Sequence, residues 1–166
     1  CGGILPQPGY LEGLRELANA REVLLFFDEV QTSFKKSPGG AQYDFGVTPD
    51  ICTIGKSLGG GLPLSAICGR ADLMDRFKPV GDVQHSGTFN APLPNILAGQ
   101  AFCNEVVAPQ FYPELLARAE VFYQGLDALI NRVGVPVQAP RHGARFGLLM
   151  GLEREPVNYS DALAHR

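Results

Sequence analysis

Three short, unbroken apolar runs constrain the fold more than any other feature of this sequence: VLLFF at 23–27, ICTI at 51–54 and LSAIC at 64–68. Each is too short for a helix, and the runs read as strands buried on both faces, as in a sheet sandwiched between helices. Between them the periodicity changes. Pro8 can open a helix in which Tyr10, Leu11, Leu14, Leu17 and Ala18 recur at helical spacing. RADLMDRF (70–77) reads as a short helix, and longer helices are expected at about 92–107 and 111–133. The second of these carries Leu115, Leu116, Ala119, Phe122, Tyr123, Leu126, Leu129, Ile130 and Val133 along one stripe. Short apolar strands alternating with helices imply an α/β architecture with a mainly parallel sheet.

Two turn-rich stretches, 35–50 (KKSPGGAQYDFGVTPD) and 80–92 (VGDVQHSGTFNAP), are expected to be long loops. After Gly134 the character shifts to VPVQAP and ARFGLLMGL, two strand-like runs joined by a turn containing His142 and Gly143, which reads as the start of a second, smaller domain. At 166 residues and 45% hydrophobic content the chain is long enough to bury a core. Its formal charge is -3 and its arginines are scattered, so no basic stripe marks a nucleic-acid partner. No apolar run reaches bilayer length, which leaves a cytoplasmic protein with a small-molecule partner as the expectation. Cys1, Cys52, Cys68 and Cys103 form no C-x-x-C pair and are expected to be reduced thiols. His85, His142 and His165 lack ligand spacing and read as loop or surface residues, not as a metal site.

The chemistry centres on TIGKSLGGGLP (53–63), where one of only four lysines precedes three consecutive glycines. A phosphate-binding loop needs G-x-x-x-x-G-K-[ST]; DICTIGKS supplies the last three residues but has Asp50 in place of the first glycine, so that reading fails. A Schiff-base lysine serving pyridoxal phosphate needs a carboxylate for the pyridine nitrogen and anchors for the phosphate. Asp28 and Lys56 each follow the end of an apolar strand, where ligands collect in open α/β sheets, and Ser86 and Thr88 in SGTFN offer hydroxyls around a glycine. Glu29 should face away from Asp28 and reads as a structural or ion-pairing acid.

The ordered set FFDEVQTSF, GVTPDICTIGKSLGGGLP and HSGTFNAP, with 28 residues from Asp28 to Lys56 and 32 from Lys56 to Thr88, resembles the class III pyridoxal-phosphate aminotransferases, and within them the glutamate-1-semialdehyde aminomutase-like branch. The resemblance implies the large domain of the pyridoxal-phosphate transferase fold (fold type I) over residues 1–108. It also implies a linking helix and the start of a small α+β C-terminal domain over 109–166. It makes Lys56 and Asp28 the catalytic residues: Lys56 forms the Schiff base and shuttles a proton, and Asp28 pairs with the pyridinium nitrogen. Val30 then packs on the ring, Gln31 lies near its 3-oxygen, and Thr88 reaches the phosphate held by the partner subunit of a homodimer. Substrates would be amino and keto compounds. The same machinery serves amino-group transfer between molecules, transfer within one molecule, or racemisation.

The chain departs from the family pattern in places. Thr32, Ser33, Phe34 and Lys35 stand where the family often has Thr-Gly-Phe-Arg, and NAPLPN only partly matches the commoner Asn-Pro arrangement. The family's glycine-rich phosphate turn and ring-stacking aromatic would precede Cys1, so the chain resembles a central-to-late piece of a longer enzyme. A catalytically incomplete, structural or dimerising fragment is the competing reading, and the isolated chain is expected to bind the cofactor weakly or not at all.

Overall fold

The computed structural model describes residues 3–88 and 90–163; Cys1, Phe89, His165 and Arg166, all singled out or spanned by motifs above, lie outside them. The chain divides into two compact units, one of Leu11–Ala108 and one that joins the residues up to Tyr10 with those from Pro109 onward. Among the described residues no helix is long and apolar enough to cross a membrane, and no cluster of three or more His, Cys, Asp or Glu side chains is arranged to hold a metal ion.

In the Leu11–Ala108 unit the order is α1 (Tyr10–Ala20, begun one residue earlier), β1 (Phe26–Glu29), α2 (Gly40–Asp44), β2 (Ile51–Ile54), a 3-10 turn at Lys56–Gly59, β3 (Ala66–Gly69), α3 (Ala71–Met74) and α4 (Leu93–Val106). The sheet order is β1-β2-β3. β1 and β2 run parallel with Asp28 opposite Thr53, while β3 is antiparallel to β2 with Cys68 opposite Cys52. The parallel character expected of the sheet is therefore confined to β1 and β2 here, and the described sheet is mixed. Cys52, Cys68 and Cys103 are free thiols, and burial pushes the Cys68 thiol up, helped by Cys52 beside it.

The first apolar run differs from expectation. The strand begins at Phe26, not Val23, and Asp28 lies within it instead of after it. Val23, Leu24 and Phe26 are each more than half exposed, so this strand is not buried on both faces. The physical reason is which face is covered: α2 packs on the face of β1 that carries the buried Glu29, while Phe26 and Asp28 stand on the other, exposed face. The alternation along β1 still holds. Glu29, on the face opposite Asp28, is 2% exposed.

Glu29 explains why a helix interrupts the stretch read as loop. Gly39 supplies no side-chain cap to α2. The Glu29 carboxylate takes that role, accepting from the N–H groups of Ala41 (2.6 Å) and Gln42 (3.0 Å) and from the Thr32 hydroxyl (3.3 Å). Gly40 must be glycine twice over: its φ is +69°, and a Cβ there would sit 2.5 Å from Glu29 Oε2.

The opposite end of β2 is pinned by Asp50, which is 5% exposed. Its carboxylate accepts from the Leu25 N–H (2.7 Å), from Arg15 of α1 (2.8 Å) and from Arg70 before α3 (2.7 Å). The Leu25 hydrogen bond and then the Arg15 contact hold its carboxyl below the usual carboxylate range, outweighing burial, which acts in the other direction. One side chain thus ties α1, the entry to β1, β2 and the exit of β3.

In the second unit α5 (Phe111–Val133) ends at Gly134, whose left-handed φ of 69° lets its N–H reach Ile130 O at 3.0 Å. Its inward stripe is narrower than expected: Tyr123 is buried and Leu115, Leu116, Ala119, Leu126 and Ile130 are half-buried, but Leu129 and Val133 are exposed, as is Phe122, whose ring lies 5.0 Å from that of Phe146. The two strand-like runs form one interrupted hairpin, in which β4 (Val137–Gln138) pairs with β7 (Leu149–Met150) and β5 (Arg141–His142) with β6 (Arg145–Phe146). Pro140 lacks the N–H that would continue the ladder. His142 therefore belongs to β5, ahead of the turn. Tyr123 donates to Gly143 O at 2.8 Å and carries the Arg141 guanidinium over its ring at 4.6 Å. A last short helix, α6, spans Tyr159–Leu163.

Candidate functional site

Parallel pairing of β1 and β2 puts their carboxyl ends side by side, and Asp28 and Lys56 both belong to that end. Asp28 stands on the exposed face of β1. Its Oδ1 accepts from the Val30 N–H at 3.0 Å and, at a long 3.5 Å, from the Thr53 hydroxyl across the pair. No hydrogen bond among the described residues occupies Oδ2, so the carboxylate is anchored by one oxygen and available through the other.

β2 ends at Ile54, and the chain turns at Gly55 into the 3-10 turn. Lys56 takes a left-handed φ of 48°, unusual for a residue with a side chain. The turn is closed by Leu58 N–H to Gly55 O (3.1 Å), Gly60 N–H to Ser57 O (3.0 Å) and Leu62 N–H to Gly59 O (2.9 Å). Gly60 and Gly61 also lie at positive φ, which is where the run of glycines is required. The Lys56 side chain is exposed and makes no hydrogen bond or ion pair among the described residues. Val30 flanks the same turn: a Cβ on Gly55 would lie 3.4 Å from Val30 Cγ1.

Helix α4 backs this turn. Leu58 and Gly59 are buried beneath it, and Asn95, itself 9% exposed, donates to Pro63 O at 2.5 Å. Gly99 lets the helix approach closely, since a Cβ there would come within 2.5 Å of Leu64 Cδ2. A helix behind and glycines in front present Lys56 at the carboxyl end of the central strand.

The other residues singled out are placed less tightly. Gln31 is exposed just beyond Val30. Thr88 is exposed in a turn closed by Asn90 N–H to Gly87 O at 3.0 Å, and no hydrogen bond among the described residues ties it to Asp28 or Lys56. His85 packs edge-on to Phe77, with ring centroids 5.9 Å apart. The structure thus brings Asp28, Val30 and Lys56 to the carboxyl end of β1 and β2, and no hydrogen bond among the described residues links Thr88 to them.

Three contributors were not anticipated from the sequence. Thr53 was signalled by being the one hydroxyl in ICTI, on the same face as Asp28 by register. Asn95 and Gly99 carry no local signal, because their role depends on where α4 docks.

The residues present suit pyridoxal phosphate: an anchored carboxylate with a free oxygen, an unpartnered primary amine, and both at the carboxyl end of parallel strands. Comparison with known proteins agrees. The family description "Aminotransferase class-III" matches residues 1–162. Glutamate-1-semialdehyde 2,1-aminomutase of Methanocaldococcus jannaschii is 41% identical over 161 residues, covering 97% of this chain and 37% of that protein. A β-phenylalanine aminotransferase from Variovorax paradoxus superposes with a TM-score of 0.84 at 35% identity, covering 98% of this chain and 38% of its own. A glutamate-1-semialdehyde-aminomutase from Pseudomonas aeruginosa PAO1, solved in complex with PMP, gives a TM-score of 0.80 at 28% identity, with coverage of 98% and 38%. The chain therefore spans a little over a third of the length of these relatives and shares the α/β fold of the fold type I transaminases. It belongs to the class III aminotransferase family.

Proposed function

We propose that this chain is part of a pyridoxal-phosphate-dependent enzyme of amino-group transfer, an aminotransferase or an aminomutase resembling glutamate-1-semialdehyde 2,1-aminomutase. The observation that carries this reading is the placement of Asp28 and Lys56 at the carboxyl ends of adjacent parallel strands, with Lys56 held left-handed on a glycine-rich turn. When bound, the cofactor supplies an electron sink for an amino substrate. Asp28 would hold the protonated pyridine nitrogen through its other carboxylate oxygen, with Val30 N–H and the Thr53 hydroxyl on Oδ1. Val30 offers an apolar surface to the ring, and Gln31 a polar group for its 3-oxygen. Lys56 would hold the cofactor at its carbonyl carbon, and the same amine, when free, would move a proton at the substrate carbon.

In this reading Thr88 extends to the phosphate of the partner subunit, which makes the working enzyme a homodimer in the cytoplasm. Residues 1–108 then belong to the large cofactor domain, and 109–166 supply a linking helix and the start of the small domain. Substituting Lys56→Ala in the full-length gene product tests the reading. Amino-group transfer is expected to collapse, with folding unchanged by circular dichroism; transfer at the unsubstituted rate would leave only a structural role.

A further inference from the structure

We propose that Lys35 is a positioning residue for Lys56, acting through the Ser57 hydroxyl. The inference rests on the Schiff-base reading above and deepens it. Lys35 stands where the family pattern often has arginine, and its ammonium donates to Ser57 Oγ, the residue that immediately follows Lys56. Both ends of this bond are set by unusual backbone. Phe34, just before Lys35, has a φ of 62°, and Lys56, just before Ser57, has a φ of 48°. Residues with side chains persist in that region only where their surroundings over-determine it.

The surroundings of Phe34 do so. Ser33 is 3% exposed with its N–H on Glu29 O at 3.0 Å, and the Phe34 ring meets Phe102 of α4 edge-on at 5.1 Å. The Lys35 stem therefore leaves from a fixed point. α4 grips the turn bearing Lys56 on the side of Leu58, Gly59 and Pro63. Ser57 is the next residue along from Lys56, and Lys35 is the side chain that holds it. The bond connects the segment after β1, which carries Asp28 and Val30, to the turn after β2, which carries Lys56. Acid and amine are thus kept in register by something more than sheet pairing.

The test uses the full-length gene product and its Lys35→Met, Lys35→Arg, Ser57→Ala and Lys35→Met/Ser57→Ala variants. Each is mixed with limiting pyridoxal phosphate and quenched with borohydride at intervals, and the label on Lys56 is followed by mass spectrometry alongside the urea midpoint. Lys35→Met should slow labelling by about tenfold, the order that a hydrogen bond from a charged donor supplies. Lys35→Arg should restore the rate to within about threefold because guanidinium also presents charged N–H donors at comparable reach. Ser57→Ala should match Lys35→Met, and the double variant should be no slower than either. Labelling of Lys35→Met at the parental rate, failure of Arg to rescue, multiplicative losses, or a fall in urea midpoint that accounts for the slower labelling would each overturn the proposal. Absence of label on Lys56 in the parent protein would instead sink the Schiff-base reading itself, and the inference with it.

Discussion

Replacing Asp50 with asparagine removes one charge at a point where three donors converge. The Leu25 N–H, Arg15 and Arg70 all lie within 2.8 Å of the carboxylate oxygens, and the Asp50 side chain is 7% exposed. Asparagine keeps one acceptor oxygen and turns the other position into a donor facing a donor. Arg70 is half exposed and already paired with Asp72 at 2.8 Å, so its share of the loss is small. Arg15, 22% exposed, and the Leu25 N–H carry most of it. Breaking one partner out of a buried pair costs about 3–5 kcal/mol, and with the Arg70 share discounted the expectation is about 3 kcal/mol. With a urea slope of about 1–3 kcal/mol per molar, the midpoint should fall by about 1–3 M with the slope unchanged.

The pH dependence gives a second reading. The folded-state pKa of Asp50 is lowered, so its contribution is present in full above the unfolded value of about 3.9 and is lost as pH falls through the folded value. The gap between the parent and Asp50→Asn should therefore close in acid. A midpoint within about 0.3 M of the parent would refute the network's role, and a gap that persists unchanged into strong acid would refute its electrostatic basis. Because this network sits at the end of β2 remote from Lys56, the variant should lose stability before it loses chemistry.

Glu29→Gln should destabilise the fold by about 2 kcal/mol, since a charged acceptor of three hydrogen bonds becomes a neutral one with a misplaced donor; urea denaturation reads this, and a neutral result would contradict the capping role. Asn95→Ala should cost about 1–2 kcal/mol by the same measurement and slow cofactor capture at Lys56, because the Pro63 carbonyl loses its buried donor; unchanged capture would detach α4 from the presentation of Lys56. Tyr123→Phe should cost about 1 kcal/mol and free the Gly143 turn to faster amide exchange, with unchanged exchange speaking against the contact.

Local patterns carried most of what the sequence disclosed. ICTI was legible as a short unbroken apolar run, and the two helices after Pro92 as longer segments, the second with an apolar stripe closed by Gly134. That Asp28 and Lys56 share the carboxyl end of β1 and β2 was legible from the apolar runs that precede them, and their separation from the family resemblance. What stayed hidden was set by partners distant in sequence. Val23 and Leu24 precede the strand, and Phe26 is exposed because α2 packs on the Glu29 face of β1, which no local pattern records. Helix α2 was obscured because its cap comes from Glu29, 12 residues before Ala41, instead of from a neighbouring side chain. Asn95 and Gly99 gain their roles only once α4 lies against the Lys56 turn.

The central claim is that Lys56 is the amine that captures pyridoxal phosphate. The direct measurement is to incubate the full-length gene product with the cofactor, reduce with borohydride, digest with trypsin and locate the added mass. The account predicts a single label on Lys56, in an uncleaved peptide running from Ser37 to Arg70. Selective label on Lys35, Lys36 or Lys78, or no selective label at all, would contradict it.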